Sequence, residues 1–307
     1  MDIKPKPTIA GKVILITGAS SGIGEAIARE FAQAGGRVIL AARRADRLEE
    51  LSNEINESGG TALAVPTDLT NPEQITHLVQ TSLAKFNRID VLANIAGISY
   101  STWFEKLAPE KLHELFEVNV LGMAELTRQI IPVMKAQHEG HIINMSSFAS
   151  RVAIPSLVAY SSTKYAVDGL TEGLRRELLP WGIEVSNVHP SYVSDTGIKI
   201  GGFHITSLPL LTLSRKQVAR VVVSLVESPR RSVYLGNIYE APVYVLRRFP
   251  DLADGLSSLW VRWRQRSDLP SEIQTAVYPK STSTRLAFTA AGFLMGLLAV
   301  GKLLSKK

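Results

Sequence analysis

Val13-Ile-Leu-Ile16 runs directly into Thr17-Gly-Ala-Ser-Ser-Gly-Ile-Gly24, and Glu25 then opens a segment of helical period. An apolar run, a glycine-rich turn and an amphipathic helix in that order make the first β–α unit of a parallel sheet. Glycines at 18, 22 and 24 let the backbone turn sharply and come close to a ligand. The helix amino terminus adds unbonded N–H groups and the positive end of the helix dipole. The turn therefore reads as a pyrophosphate cradle, although three residues separate its first two glycines, unlike the G-x-G-x-x-G form. An ordinary glycine-rich turn is the alternative that these eight residues leave open.

The pattern continues outward. Val38-Ile-Leu40, Ala62-Leu-Ala-Val65, Ile89-Asp-Val-Leu92, His141-Ile-Ile-Asn-Met145, Ile183-Glu-Val-Ser-Asn-Val188 and Ser232-Val-Tyr-Leu235 read as further strands. Between them lie helical patterns near 23–34, 45–58, 72–86, 110–137, 158–179 and 215–227. Apolar strands alternating with helices specify an α/β fold, a Rossmann-type doubly wound parallel sheet of about seven strands with helices on both faces. The expected organisation is an N-terminal tail over 1–10, this domain over 11–240, a helical extension over 241–284 and an apolar C-terminal helix over 285–307. The stretch 190–213, rich in Gly, Ser, Thr and Leu, follows a strand's carboxyl end, where such sheets bind ligands. It is expected to be a substrate-covering loop with a short helix.

Composition narrows the function classes. The chain has 307 residues, 45% of them hydrophobic, enough for a sizeable core. It has no cysteine, which excludes disulfides, thiolate metal sites and a cysteine nucleophile; no metal site is expected. The net charge of +6 is dispersed, with no long basic run, so nucleic acid is not an expected partner. The excess is read as serving an anionic cofactor and an anionic membrane surface. Met1 to Thr8 is polar and contains Pro5 and Pro7, unlike a signal peptide.

Tyr160-Ser-Ser-Thr-Lys164 places a phenol and an ammonium at i and i+4, on one face of a helix. A tyrosine with a pKa near 10 is a poor proton donor or acceptor at neutral pH, and moving it to about 7 takes roughly 4 kcal/mol. A cation about 4 Å away supplies about that much at an effective dielectric of 20. Lys164 is thus expected to depress the Tyr160 pKa and make it a general acid/base. A solvated helix face has the same spacing. Leu40-Ala-Ala42 ends the second strand and Arg43-Arg44 follow. NAD sites place an acid here for the ribose 2′-hydroxyl, and NADP sites an Arg for the 2′-phosphate. With no acid present and Arg43 able to grip phosphate as a fork, NADP(H) is favoured over NAD(H). The alternative is two arginines opening a solvated helix. Asp68 reads equally as a partner for the adenine amino group and as the cap of the helix near Asn71.

Residues 11 to about 240 resemble the short-chain dehydrogenase/reductase family. Thr17-Gly-x-x-x-Gly-Ile-Gly24 matches its cofactor motif, and Asn94-Ile-Ala-Gly97 its Asn-Asn-Ala-Gly motif with Ile95 replacing the second Asn. Asn119 in Glu117-Val-Asn-Val120 stands at its helix asparagine, Ser147 precedes Tyr160 by the family interval of thirteen residues, and Tyr160-x-x-x-Lys164 is its signature. The resemblance implies that Asn119, Ser147, Tyr160 and Lys164 are catalytic. In that scheme Ser147 holds the substrate oxygen, Tyr160 moves the proton, Lys164 bonds the nicotinamide ribose, and Asn119 positions a water linking Lys164 to solvent. It also implies a cofactor held by Gly18, Ser20, Ser21, Gly22, Ile23, Gly24, Arg43, Asp68, Leu69, Asn94, Ala96, Gly97, Tyr160, Lys164 and, through its backbone, Val193. Each position has a plainer reading: Asn94 holds neighbouring strands together, Asn119 bonds backbone carbonyls, and Ser146 and Ser147 end a strand. There are departures. Ser21 stands where many NADP-preferring relatives carry a basic residue, Ser191 replaces a usual Gly, and Thr196 falls one position late.

These features imply an NAD(P)-dependent oxidoreductase interconverting a carbonyl and a secondary or primary alcohol, and a homo-oligomer built through the two longest helices. The apolar stretch from Phe203 to Leu213 suggests a lipophilic substrate. The alternative is a catalytically silent nucleotide-binding sensor or scaffold of the same fold. Leu286 to Gly301 carries no charge and is bracketed by Arg285 and Lys302. Sixteen residues make about 24 Å of helix, and extension to Leu304 gives about 28 Å against a hydrocarbon thickness of roughly 30 Å. Trp260, Trp263 and nearby arginines mix as interfacial helices do. The expectation is a cytoplasmic catalytic domain associated with a membrane through this tail; a helix docked on protein is the alternative.

Overall fold

The computed structural model describes residues 8–194, 212–236, 243 and 246–268. Its strands are β1 (Val13–Thr17), β2 (Arg37–Ala42), β3 (Thr61–Pro66), β4 (Val91–Asn94), β5 (Gly140–Met145), β6 (Ile183–Pro190), β7 (Tyr192–Val193), β8 (Thr212–Leu213) and β9 (Ser232–Leu235). Seven of them form one parallel sheet in the order β3-β2-β1-β4-β5-β6-β9, and β7 pairs with β8 separately. Every residue of β1 and β5 is buried, which requires layers on both faces. The period of two divides β1 accordingly. Ile14 and Ile16 pack with Ile27 and Phe31 of α1 (Gly22–Gln33) and with Val222 and Leu225 of α7 (Arg215–Glu227). Val13 and Leu15 pack with Leu78 of α3 (Pro72–Phe86) and with Leu126 and Ile130 of α5 (Met123–Gln137). The sheet order reverses between β1 and β4, so their carboxyl ends open the crevice where ligands bind in this architecture.

Further helices among the described residues are α2 (Ala45–Glu57), α4 (Pro109–Phe116), α6 (Val158–Leu178) and α8 (Pro250–Asp268). Two elements differ from their expected form. The helix expected over 110–137 is α4, a π-helical turn over Glu117–Gly122, and then α5. The fourth strand begins at Val91 instead of Ile89, because the Asp90 carboxylate accepts the backbone N–H of Val13 at 2.7 Å and the Arg88 guanidinium.

Residues up to Leu235 form one compact unit and those from Gly236 a second, five residues before the expected boundary at 240. Ile9 is buried in the core of the first unit, within the stretch expected to be tail. Among the described residues no helix is long and apolar enough to cross a membrane. Of the expected covering loop, only its ends are described, as β7 and β8; 195–211, with Thr196, and the C-terminal helix over 285–307 lie outside the described residues.

Candidate active site

The glycine turn is built by contacts that its sequence dictates. Gly18 has φ +71°, and a Cβ there would stand 2.9 Å from the Cα of Ala96. A Cβ on Gly24 would stand 2.2 Å from the Gly18 carbonyl oxygen, so α1 can start here only with glycine. The Thr17 hydroxyl accepts the N–H groups of Ile95 and Ala96 at 3.0 and 3.1 Å, fastening the end of β1 to the chain leaving β4. Ser21 stands at the amino terminus of α1 without capping it. Its hydroxyl instead receives Arg44 Nη2 at 2.6 Å, and the same nitrogen reaches Ser20 at 2.9 Å. The first-turn N–H groups of α1 are left facing a cleft of about 910 Å³, lined by Gly18, Ser20, Ser21, Gly22, Ile23 and Gly24.

The other end of this cleft is lined by Ser147, Tyr160 and Lys164. α6 carries Tyr160 and Lys164 past the carboxyl end of β5, where Ser147 starts a short 3₁₀ turn. The Ser147 hydroxyl accepts the Ala149 N–H at 3.1 Å and is hydrogen-bonded to the Tyr160 phenol. Lys164 Nζ donates to the Met145 carbonyl at 2.9 Å and lies 5.7 Å from the centroid of the Tyr160 ring. Asn119 is buried in the π-helical turn. Its amide accepts the Ile98 N–H at 2.8 Å and donates to the Ile98 carbonyl at 2.9 Å and to Thr163 at 3.1 Å. Its side chain is therefore engaged with the β4–α4 connection.

One electrostatic expectation is corrected. Burial raises the Tyr160 phenol above its ordinary value, with the Ser147 hydrogen bond opposing it, so the phenol is not depressed toward neutrality. The amine takes the lowered value: burial brings Lys164 down to about 8, with Asp168 opposing the change. Losing the charged form to burial is the common cause.

The remaining expected residues divide. Leu69, Ala96, Gly97, Arg43 and Val193 line the cleft. Asp68 lines it too, and accepts both the N–H and the hydroxyl of Thr70 at 2.9 Å. It is not the helix cap; Asn71 caps α3 by accepting from Glu73 and Gln74. Asn94 is turned away from the cleft lining into the sheet, donating to Asn144 at 2.9 Å and Thr127 at 3.1 Å. Its place is set by strand-to-helix bonding.

A family model for short chain dehydrogenases matches residues 12–201. The chain belongs to the short chain dehydrogenase family. An uncharacterized oxidoreductase of Staphylococcus saprophyticus is 39% identical over 170 residues, 55% of this chain and 68% of its own. Ketoacyl reductase HetN of a Nostoc species is 34% identical over 231 residues, 75% of this chain and 80% of its own. Among solved structures, a metagenomic short-chain oxidoreductase in complex with NADP has 31% identity and a TM-score of 0.65, covering 74% of this chain and 97% of its own. A 3-ketoacyl-(acyl-carrier-protein) reductase from Brucella melitensis complexed with NADH has 30% identity and a TM-score of 0.67, covering 74% and 97%.

This short chain dehydrogenase also holds residues that the sequence pattern left unmarked. Arg44, next to the expected Arg43, is the arginine that fastens the glycine turn. Beneath Lys164, Asp168 accepts from Ser146 at 2.6 Å and from Asn187 at 2.7 Å, and stands 3.8 Å from His189. Asp168 follows Lys164 by four residues, the spacing that singled out Tyr160 and Lys164, so helix periodicity could have found it. His189 carries no such signal, since only the pairing of β6 with β5 brings it under Ser147.

Proposed function

We propose that this chain is an NADP(H)-dependent oxidoreductase interconverting a carbonyl and an alcohol, with Tyr160 as general acid/base. The observation that supports it most is the meeting of Ser147, Tyr160 and Lys164 in the cleft that also holds the glycine turn. The cradle fits a dinucleotide: uncapped N–H groups at a helix start suit a pyrophosphate, and the cleft wall there is lined by Gly18, Gly22 and Gly24, which carry no side chain. The nicotinamide ring supplies the hydride and the protein supplies orientation and the proton.

Ser147 and Tyr160 present hydroxyl groups to the oxygen on which negative charge develops. Tyr160, kept protonated by burial, gives its proton to that oxygen. The phenolate left behind belongs to the ring whose centroid lies 5.7 Å from Lys164 Nζ, so the ammonium attracts the negative charge as it forms. Lys164 thus acts chiefly as the charge leaves Tyr160. Asn119 holds the turn around Ile98 that frames the cleft.

Arg43 is exposed at the end of β2, and its guanidinium has no hydrogen bond among the described residues. It is available to a 2′-phosphate, whereas Arg44 is spent on Ser20 and Ser21. Arg43→Ala should weaken NADPH on the order of tenfold and NADH little; Arg44→Ala should weaken both alike. Equal losses for both cofactors in Arg43→Ala, read by fluorescence titration, overturn the NADP reading.

The substrate is a lipophilic carbonyl compound, and the tail attaches the enzyme to a membrane. Residues 215–307 hold 15 Lys and Arg against 6 Asp and Glu, a balance suited to an anionic surface. Leu121, Val158 and Tyr165 are exposed large side chains at the π turn and α6 and favour self-association there. The test is NADPH oxidation against a panel of ketones and aldehydes. Turnover is expected with a lipophilic member and should fall on the order of 10³-fold in Tyr160→Phe, with cofactor affinity nearly intact. Near-normal turnover in that variant overturns the assignment.

A further inference from the structure

We propose that Asp168 is a positioning residue for this reaction: its carboxylate balances the buried Lys164 ammonium and pins β5 and β6 to α6 beneath the reacting groups. The inference rests on the catalytic reading above. Three elements converge on one oxygen. Asp168 Oδ1, on α6, accepts the Ser146 hydroxyl from the end of β5 at 2.6 Å and the Asn187 amide from β6 at 2.7 Å. Ser146 also reaches the Lys164 carbonyl at 3.4 Å. Ser146 adjoins both Met145, whose carbonyl holds Lys164 Nζ, and Ser147, whose hydroxyl meets Tyr160. A carboxylate at this junction sets the position of both arms.

It also decides where the compensating charge sits. His189, from β6, stands 3.8 Å from Asp168 and is stacked on Tyr234 of β9 at 4.6 Å. Burial lowers its pKa and Arg151 adds to this, while Asp168 and the Ser147 main chain oppose. Arg151, from the turn after β5, lies over the Tyr234 ring at 5.5 Å. The groups around the Lys164–Asp168 pair are therefore Tyr160 on α6, His189 on β6, Arg151 beyond β5 and Tyr234 on β9. With His189 held toward its neutral form, Lys164 is the cation of the active cleft that Asp168 serves, and Asp168 opposes the lowering of its pKa by burial.

Asp168→Asn separates charge from shape, because an amide oxygen can accept the same two hydrogen bonds. In the cofactor-free protein, NMR of ¹³C-labelled lysine, assigned with Lys164→Met, should show Lys164 titrating at lower pH in Asp168→Asn than in wild type. Carbonyl reduction by Asp168→Asn should lose little at pH 6 and on the order of tenfold at pH 8.5, the size expected for one nearby opposite charge. Asp168→Glu, which keeps the charge and disturbs the fit, should keep the wild-type titration at a lower melting temperature. An unmoved Lys164 titration in Asp168→Asn, an equal loss of activity at every pH, or a Lys164 titration lowered in Asp168→Glu overturns the proposal. Absence of turnover on every carbonyl with the titration displaced as expected defeats the catalytic reading and leaves the charge pairing standing.

Discussion

Lys164 at about 8 and Tyr160 above its ordinary value give the site two ionisations with different consequences. A phenol titrating above 10 stays protonated throughout the working range and is ready to donate. The amine is the group that changes state near neutrality, so it should set the alkaline limit of carbonyl reduction. We expect kcat/KM for the cofactor, which reports ionisations of the free enzyme, to be level through neutrality. Above about pH 8 it should fall tenfold per unit. A profile level to pH 10 would show that the charge on Lys164 is not required. Stability should move oppositely across the same window. The unfolded amine, near 10.5, binds a proton that the folded one has released above about 8, so unfolding free energy rises with pH between these values. A site that works best where it is least comfortable is a common cost of function.

At the scale of elements, the β5–β6 pair carries a second buried base. His141 Nε2 lies 2.8 Å from the Ser186 hydroxyl, which itself donates to the Arg230 carbonyl. Ser186 therefore accepts from the imidazole, and the neutral ring is satisfied where it sits. Burial brings its pKa from 6.5 down to about 4. Between those values the unfolded chain binds the proton that the folded chain refuses, so stability falls as pH drops through the window, by on the order of 3 kcal/mol in all. Denaturant unfolding at pH 7 and pH 4 should show this loss, and His141→Gln should remove most of it; an equal loss in both proteins would exclude His141 as the cause. The strands themselves were legible because apolar runs such as Val13-Ile-Leu-Ile16 have no other place than a covered sheet. The π turn in the rod from Pro109 to Gln137 was not legible. Within it Asn119 bonds Ile98, a contact between distant segments that leaves the apolar period unchanged. The sign of the Tyr160 shift was missed for the same reason: spacing reveals a neighbouring cation, but burial belongs to the assembled sheet. The chain order of Ser147, Tyr160 and Lys164 was readable; the roles of Asp168 and His189 depend on which strands become neighbours.

For the whole molecule the charge distribution is more telling than the net charge of +6. The first 214 residues carry 19 Lys and Arg against 22 Asp and Glu, whereas residues 215–307 carry 15 against 6. The excess lies entirely in the part that contains the uncharged run from Leu286 to Gly301. A basic segment near an anionic leaflet gains about 1 kcal/mol per Lys or Arg close to the surface, and sixteen apolar residues, enough for about 24 Å of helix, add a much larger transfer term on entering hydrocarbon. The two contributions respond differently to salt, which makes their sum testable. The full-length chain should remain with the membrane fraction in 1 M salt, where surface attraction is screened beyond about 3 Å, and leave it only with detergent. A chain ending at Asp268 keeps 10 of those 15 Lys and Arg and lacks the apolar run; it should bind vesicles containing anionic lipid at low salt and release at high salt. Recovery of the full-length chain in the detergent-free supernatant at low salt would show that the apolar run is covered by protein instead, and gel filtration would then reveal whether a second copy provides the cover.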